Sequence, residues 1–181
     1  ELMDANGIGS AISSISTSVE VANDQTATVN LARACNDYAA ELSQDHKGRF
    51  GMFAALPMCS MDAAIREVDY ALDTLASDGI VLMTNYNDKH LGDAAFDPLL
   101  AHLNRRKAIV FVHPTTCSCT PGHPDMPLPM LEFPFDTTRT IVSLLYAEAF
   151  TKYKDIQFIF CHGGGTIPFL AYRIDMMLQA K

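Results

Sequence analysis

The runs GIVLMT (79–84) and AIVFVH (108–113) hold scarcely a polar residue. A strand with one wetted face alternates apolar and polar side chains, so unbroken apolar runs of this length describe strands covered on both sides. A parallel sheet whose crossover helices lie over its faces meets that condition. Three further β-rich runs fall between helical stretches: IGSAISSIS (8–16), RFGMFAAL (49–56) and IQFIFCH (156–162). Five strands separated by longer helical segments make an α/β chain built from right-handed βαβ units.

The intervening segments carry helix punctuation. Leu31, Cys35, Tyr38 and Leu42 recur at helical spacing ahead of Gly48. Ile65, Val68, Leu72 and Leu75 form a second apolar stripe, with Ser60 as N-cap and Gly79 as stop. Asp97-Pro98 reads as the N-cap and first-turn proline of a third helix that turns Leu99 and Leu103 inward. A fourth is expected over about 136–153, with Ile141, Leu144, Leu145 and Ala149 inward, and a fifth from Thr166 through Leu170, Ile174 and Met177. The opening ELMDANG reads as a helix end. The stretch TTCSCTPGHPDMPLPML (115–131) is too proline-rich for a helix and longer than an ordinary βα loop, the character of a lid or substrate-binding loop.

Two architectures satisfy this pattern. One is a five-stranded doubly wound sheet, which 181 residues can complete. The other is part of a (β/α)8 barrel, which typically takes about 250 residues. In both, chemistry gathers at the carboxyl ends of the strands, where this chain places His113 and His162 at matching positions. A neutral imidazole there can ligate a metal or move a proton. The glycines of HGGGT (162–166) let the backbone turn sharply and approach a ligand, and the helix that follows presents N–H groups suited to an anion. Neither GxxxxGK[ST] nor a strand-associated GxGxxG is present, which excludes those phosphate and dinucleotide loops. Cys117, Cys119 and His123 can be drawn with His113 as a zinc site, although their spacing matches no standard closed zinc motif.

An apolar fraction of 49% supports a substantial core. The net charge of −8 comes from scattered acids, and Arg105-Arg106-Lys107 is the one basic cluster, which argues against nucleic acid and anionic membranes as partners. No apolar run approaches the roughly 20 residues of a membrane span, so a cytoplasmic protein is expected. Five cysteines are an odd number, and Cys35, Cys59 and Cys161 lie in or beside apolar segments, so reduced thiols rather than a disulfide framework are expected.

The segments RFGMFAALP (49–57), DGIVLMTNYNDKHLGDAAFDPLLAHLNRR (78–106), VFVHP (110–114), EFPFDTTRTI (132–141) and FIFCHGGGTIPFLAYRID (158–175) together resemble the amidohydrolase-related decarboxylases. That group contains aminocarboxymuconate-semialdehyde decarboxylase and aromatic-acid decarboxylases, including those of 6-methylsalicylate. The resemblance implies a partial (β/α)8 TIM barrel in one domain, with the five strands as the second to sixth of the barrel and the first, seventh and eighth missing. It implies a divalent metal, zinc or manganese, bound by His113, with His162 as the catalytic histidine. Arg173 falls where the family pairs an arginine with the substrate carboxylate, often across a homodimer interface. Asn85, Tyr86, Gly163 and Gly164 are the further substrate-pocket residues, and the substrate is a small carboxylic acid. No H-x-H or E-x-H pair precedes the first run and no closing strand supplies an aspartate. The isolated chain is therefore expected to have little or no activity, since a catalytic metal needs about three protein ligands. A hydrolase of the same superfamily and a non-catalytic remnant that binds a partner are the alternatives.

Overall fold

The computed structural model describes residues 1–117 and 125–180. The chain divides into two compact units, Glu1–Leu82 and Met83–Lys181.

The first unit carries α1 (Leu2–Ala5), β1 (Ala11–Ser13), α2 (Gln25–Asp45), β2 (Phe50–Ala55), α3 (Met61–Asp73) and nearly all of β3 (Gly79–Met83). Its strands are parallel as expected, with Ile12 opposite Gly51 and Ala54 opposite Ile80. Every residue of β3 is buried, which is what its unbroken apolar run requires. Asp24 and Ser60 cap α2 and α3 by accepting the Ala27 and Ala63 N–H groups.

The helices present different faces from those the large side chains suggest. On α2 the buried residues are Thr28, Ala32, Asn36 and Ala40, while Leu31 is 43% and Tyr38 69% exposed. On α3 they are Ala63, Ala64, Glu67, Val68 and Ala71, so only Val68 of the expected stripe is fully buried. Small side chains let α2 lie close on β2, and a polar network fills the junction. Asn36 accepts the Ala55 N–H (2.8 Å) and donates to the Ala55 carbonyl (2.9 Å) and to Glu67 (2.8 Å). Arg33 donates to the same buried carboxylate (2.7 Å) and lies 3.4 Å from the centre of the Tyr70 ring. Asn36→Ala would leave three buried polar groups without that partner. It is expected to destabilise the chain by about 2–3 kcal/mol, measured as a lowered urea midpoint; an unchanged midpoint would deny the network this role.

The second unit opens with a feature that periodicity did not show. β4 (Asn85–Tyr86) pairs antiparallel with β5 (Lys89–His90) across Asn87 and Asp88, both at positive φ (50° and 62°). This is the two-residue hairpin turn that Asn and Asp favour. A single 3₁₀ turn (Ala94–Phe96) leads into α4 (Asp97–Arg106), so Asp97 is the first helical residue rather than the cap. Leu99, Leu100 and Leu103 are its buried face.

β6 (Ile109–His113) and β7 (Gln157–Phe160) run parallel, with Val110 opposite Phe158. Between them α5 (Leu128–Tyr146) starts well before Asp136, against the expectation that prolines keep this stretch non-helical. Pro129 stands in the first turn, where no N–H is required, and Pro134 removes only one bond from a long helix. Glu148, at φ 56°, then breaks the chain into a separate α6 (Ala149–Lys152). After Thr166 comes α7 (Ile167–Gln179), none of whose residues is buried. No helix among the described residues is long and apolar enough to cross a membrane.

Candidate active site

Strand β6 ends at His113, half-buried, and hands its chain to Pro114. The ring turns back so that Nδ1 donates to the Pro114 carbonyl at 2.8 Å. A carbonyl only accepts, so the proton stands on Nδ1 and the lone pair on Nε2, the form in which an imidazole ligates a metal. Burial, opposed by this hydrogen bond and aided by the nearby His162, holds the His113 pKa below the ordinary histidine value. The ring is therefore neutral at pH 7. Phe133 of α5 meets it edge-on, with 6.3 Å between centroids.

His162 stands just past the end of β7, in a 3₁₀ turn, rather than closing the strand. Its exposed ring lies 6.2 Å from that of His113, centroid to centroid, so the structure brings these two sequence-predicted residues together. The turn explains the glycines. His162, Gly163, Gly164 and Gly165 have φ of 54°, 61°, 79° and 65°, four successive left-handed residues that side chains other than hydrogen resist. A Cβ on Gly165 would overlap the Pro134 carbonyl and the Thr138 hydroxyl, whereas nothing stands near Gly163. The Gly164 N–H donates to the Cys161 carbonyl and the Gly165 N–H to the His162 carbonyl, both at 3.0 Å. Thr166 N–H donates to Thr138 Oγ1 at 2.9 Å. Of these amides only that of Thr166 opens the helix expected to face an anion, and it is engaged within the protein.

Asp136 is the residue that pattern reading missed. Only 2% exposed on α5, its carboxylate accepts from the Thr84 hydroxyl, from Asn85 Nδ2 (3.3 Å) and from His90 Nε2 (3.0 Å). Burial alone would raise its pKa, but these hydrogen bonds and the charge partnership with His90 outweigh burial and hold it below the usual carboxylate range. Its partners lie 46 to 52 positions away in sequence, beyond any local motif. The available signal was the paired presence of NYNDKH and FPFD in one resemblance. Asn85 and Tyr86 are themselves buried: Asn85 holds Asp136, and the Tyr86 hydroxyl accepts the Met83 N–H at 2.8 Å.

Arg173 is exposed on α7, where it lines an apolar groove with Val142, Tyr146, Leu170 and Met177. Cys35, Cys59 and Cys161 are free thiols as expected, whereas Cys117 is disulfide-bonded and so is no thiolate ligand; Cys119 and His123 lie outside the described residues. The donor set fits one corner of a metal site through His113 Nε2. Among the described residues no three His, Cys, Asp or Glu side chains converge to complete it.

The amidohydrolase family profile matches residues 13–179, and the chain belongs to that family. It is 42% identical over 190 aligned residues to decarboxylase macB of Penicillium terrestre, covering 98% of this chain and 56% of that protein. Against the 6-methylsalicylic acid decarboxylase of Penicillium expansum it is 37% identical over 166 residues, covering 86% and 49%. The crystal structure of an amidohydrolase II superposes with a TM-score of 0.93 at 30% identity, covering 98% of this chain and 59% of that one. The 5-carboxyvanillate decarboxylase of Novosphingobium aromaticivorans, crystallised with manganese and 4-hydroxy-3-methoxy-5-nitrobenzoic acid, gives 0.85 at 28% identity, covering 98% and 52%. The fold is thus that of part of the amidohydrolase barrel, not the doubly wound sheet that length allows. The chain spans about half the length of the curated relatives it matches.

Beside His162, burial pushes the Cys161 thiol up to about 11, so its neutral form dominates. Iodoacetamide is expected to leave Cys161 untouched near the ordinary thiol pKa of about 8.5, read by mass spectrometry. Alkylation there at the rate of a free cysteine would contradict its burial.

Proposed function

We propose that this chain supplies part of the active site of a metal-dependent decarboxylase of a small aromatic carboxylic acid, such as 6-methylsalicylate. The observation that carries the reading is the pair of histidines at the ends of β6 and β7, one with its Nε2 lone pair kept free by the bond to Pro114. The decarboxylases that match over most of the chain support it. A divalent metal, zinc or manganese, with His113 as one ligand would polarise the oxygens of the bound acid.

The remaining work falls to side chains. Loss of CO2 from an aromatic carbon requires that carbon to gain a proton, and His162, exposed beside His113, can hydrogen-bond the carboxylate or hold that proton. Gly163 presents open space next to it, and Gly164 completes the turn that aims it. Asn85 and Tyr86 form a pocket wall fixed by Asp136 and the Met83 amide. Arg173 pairs with the substrate carboxylate of a second copy. In favour of that homodimer, Phe169 and Tyr172 on the same helix are 90% and 78% exposed.

The test is a chimera in which these 181 residues replace the matching segment of decarboxylase macB. It is expected to release CO2 from an aromatic acid in the presence of zinc or manganese. His162→Ala should lower turnover by about 100-fold or more without unfolding the chimera. Carboxylate product formed without CO2 would point to the hydrolase alternative, and turnover indifferent to His162 would remove its catalytic role.

A further inference from the structure

We propose that Asp136 is a positioning residue for His113, acting through Thr84 to keep the His113 proton on Nδ1 and its lone pair on Nε2. The inference rests on the reading of His113 as a functional residue, but its geometry stands apart from any activity.

Thr84 has every polar group committed. Its N–H donates to the His113 carbonyl (2.9 Å), and its hydroxyl oxygen accepts the Thr115 N–H (3.1 Å). Its carbonyl accepts the Thr140 hydroxyl (2.9 Å), and its own hydroxyl hydrogen goes to Asp136. Thr84 therefore grips the backbone on both sides of Pro114, the residue whose carbonyl receives His113 Nδ1–H. A hydroxyl can turn its lone pair to Thr115 only while its hydrogen is directed elsewhere, and the buried Asp136 carboxylate is the acceptor that directs it.

His90 and Asn85 keep that carboxylate in place. An ionised carboxylate only accepts, so His90 carries its proton on Nε2 toward Asp136. An asparagine at 136 would offer one oxygen to three donors and turn an NH2 group against the others. The hydrogen bonds would rearrange, and Thr84 would lose its orientation. Asp136 does not touch the His113 ring, so it has no direct role in chemistry.

The experiment is ¹⁵N NMR of the histidine side chains in the 181-residue chain, with His113 assigned through His113→Gln. In the unsubstituted chain His113 is expected in the Nδ1–H form. Asp136→Asn and Thr84→Val should each shift the tautomer ratio toward Nε2–H by about fivefold, the change that losing one hydrogen bond's net contribution produces. Asp136→Glu should restore much of the original ratio. Thr140→Val, which removes a partner of Thr84 off the path to His113, should lower stability and leave the tautomer alone. Should Asp136→Asn fail to fold, Thr84→Val carries the test. If both variants fold with wild-type His113 shifts, Asp136 is a structural anchor only and the inference is overturned. An unmoved tautomer would leave the decarboxylase reading intact, and a moved tautomer with an inactive chimera would do the reverse.

Discussion

A carboxylate removed from water must have its oxygens hydrogen-bonded or it costs several kcal/mol. Asp136 meets that demand by drawing on Thr84, Asn85 and His90. To do so Thr84, the β4–β5 hairpin and α5, all in the second unit, must converge on one point. The other side of α5 receives the glycine turn through Thr138 and the Pro134 carbonyl. Both histidine-bearing segments thus lean on the same helix, and the direct pairing of β6 with β7 brings their ends side by side.

Burial on both faces leaves a plain mark in β3, whereas β6, equally apolar in sequence, alternates buried and half-buried residues. The five strands were read from runs such as GIVLMT, and all five are present, though shorter at their ends. The helix faces were harder. On α2 the sequence shows Leu31 and Tyr38 at helical spacing, yet the side turned inward is the one where Ala32, Asn36 and Ala40 allow close approach. Large apolar residues signal a stripe, but in a chain that covers only part of its relatives' length they need not mark the face that these residues bury. The early start of α5 is masked in the sequence by prolines, which a helix accepts in its first turn and, at the loss of one bond, further in.

The site divides in the same way. The nearness of His113 and His162 was open to sequence reading because the two residues stand at matching ends of strand runs. The glycine run reads as a turn in sequence, and its three glycines do stand at positive φ after His162; the N–H groups of Gly164, Gly165 and Thr166 are used inside the protein. Asp136 and His90 could not be paired from sequence, because nothing local joins a hairpin residue to a helix residue 46 positions on.

We propose that His113 is one ligand of a metal site that the chain does not complete by itself; among the described residues no others converge on it. The most direct measurement is bound zinc or manganese per chain, by elemental analysis after exhaustive dialysis, for the 181-residue chain and its His113→Ala variant. No stoichiometric metal is expected in either. Near one equivalent in the chain, lost in the variant, would contradict the proposal by showing a complete site built around His113.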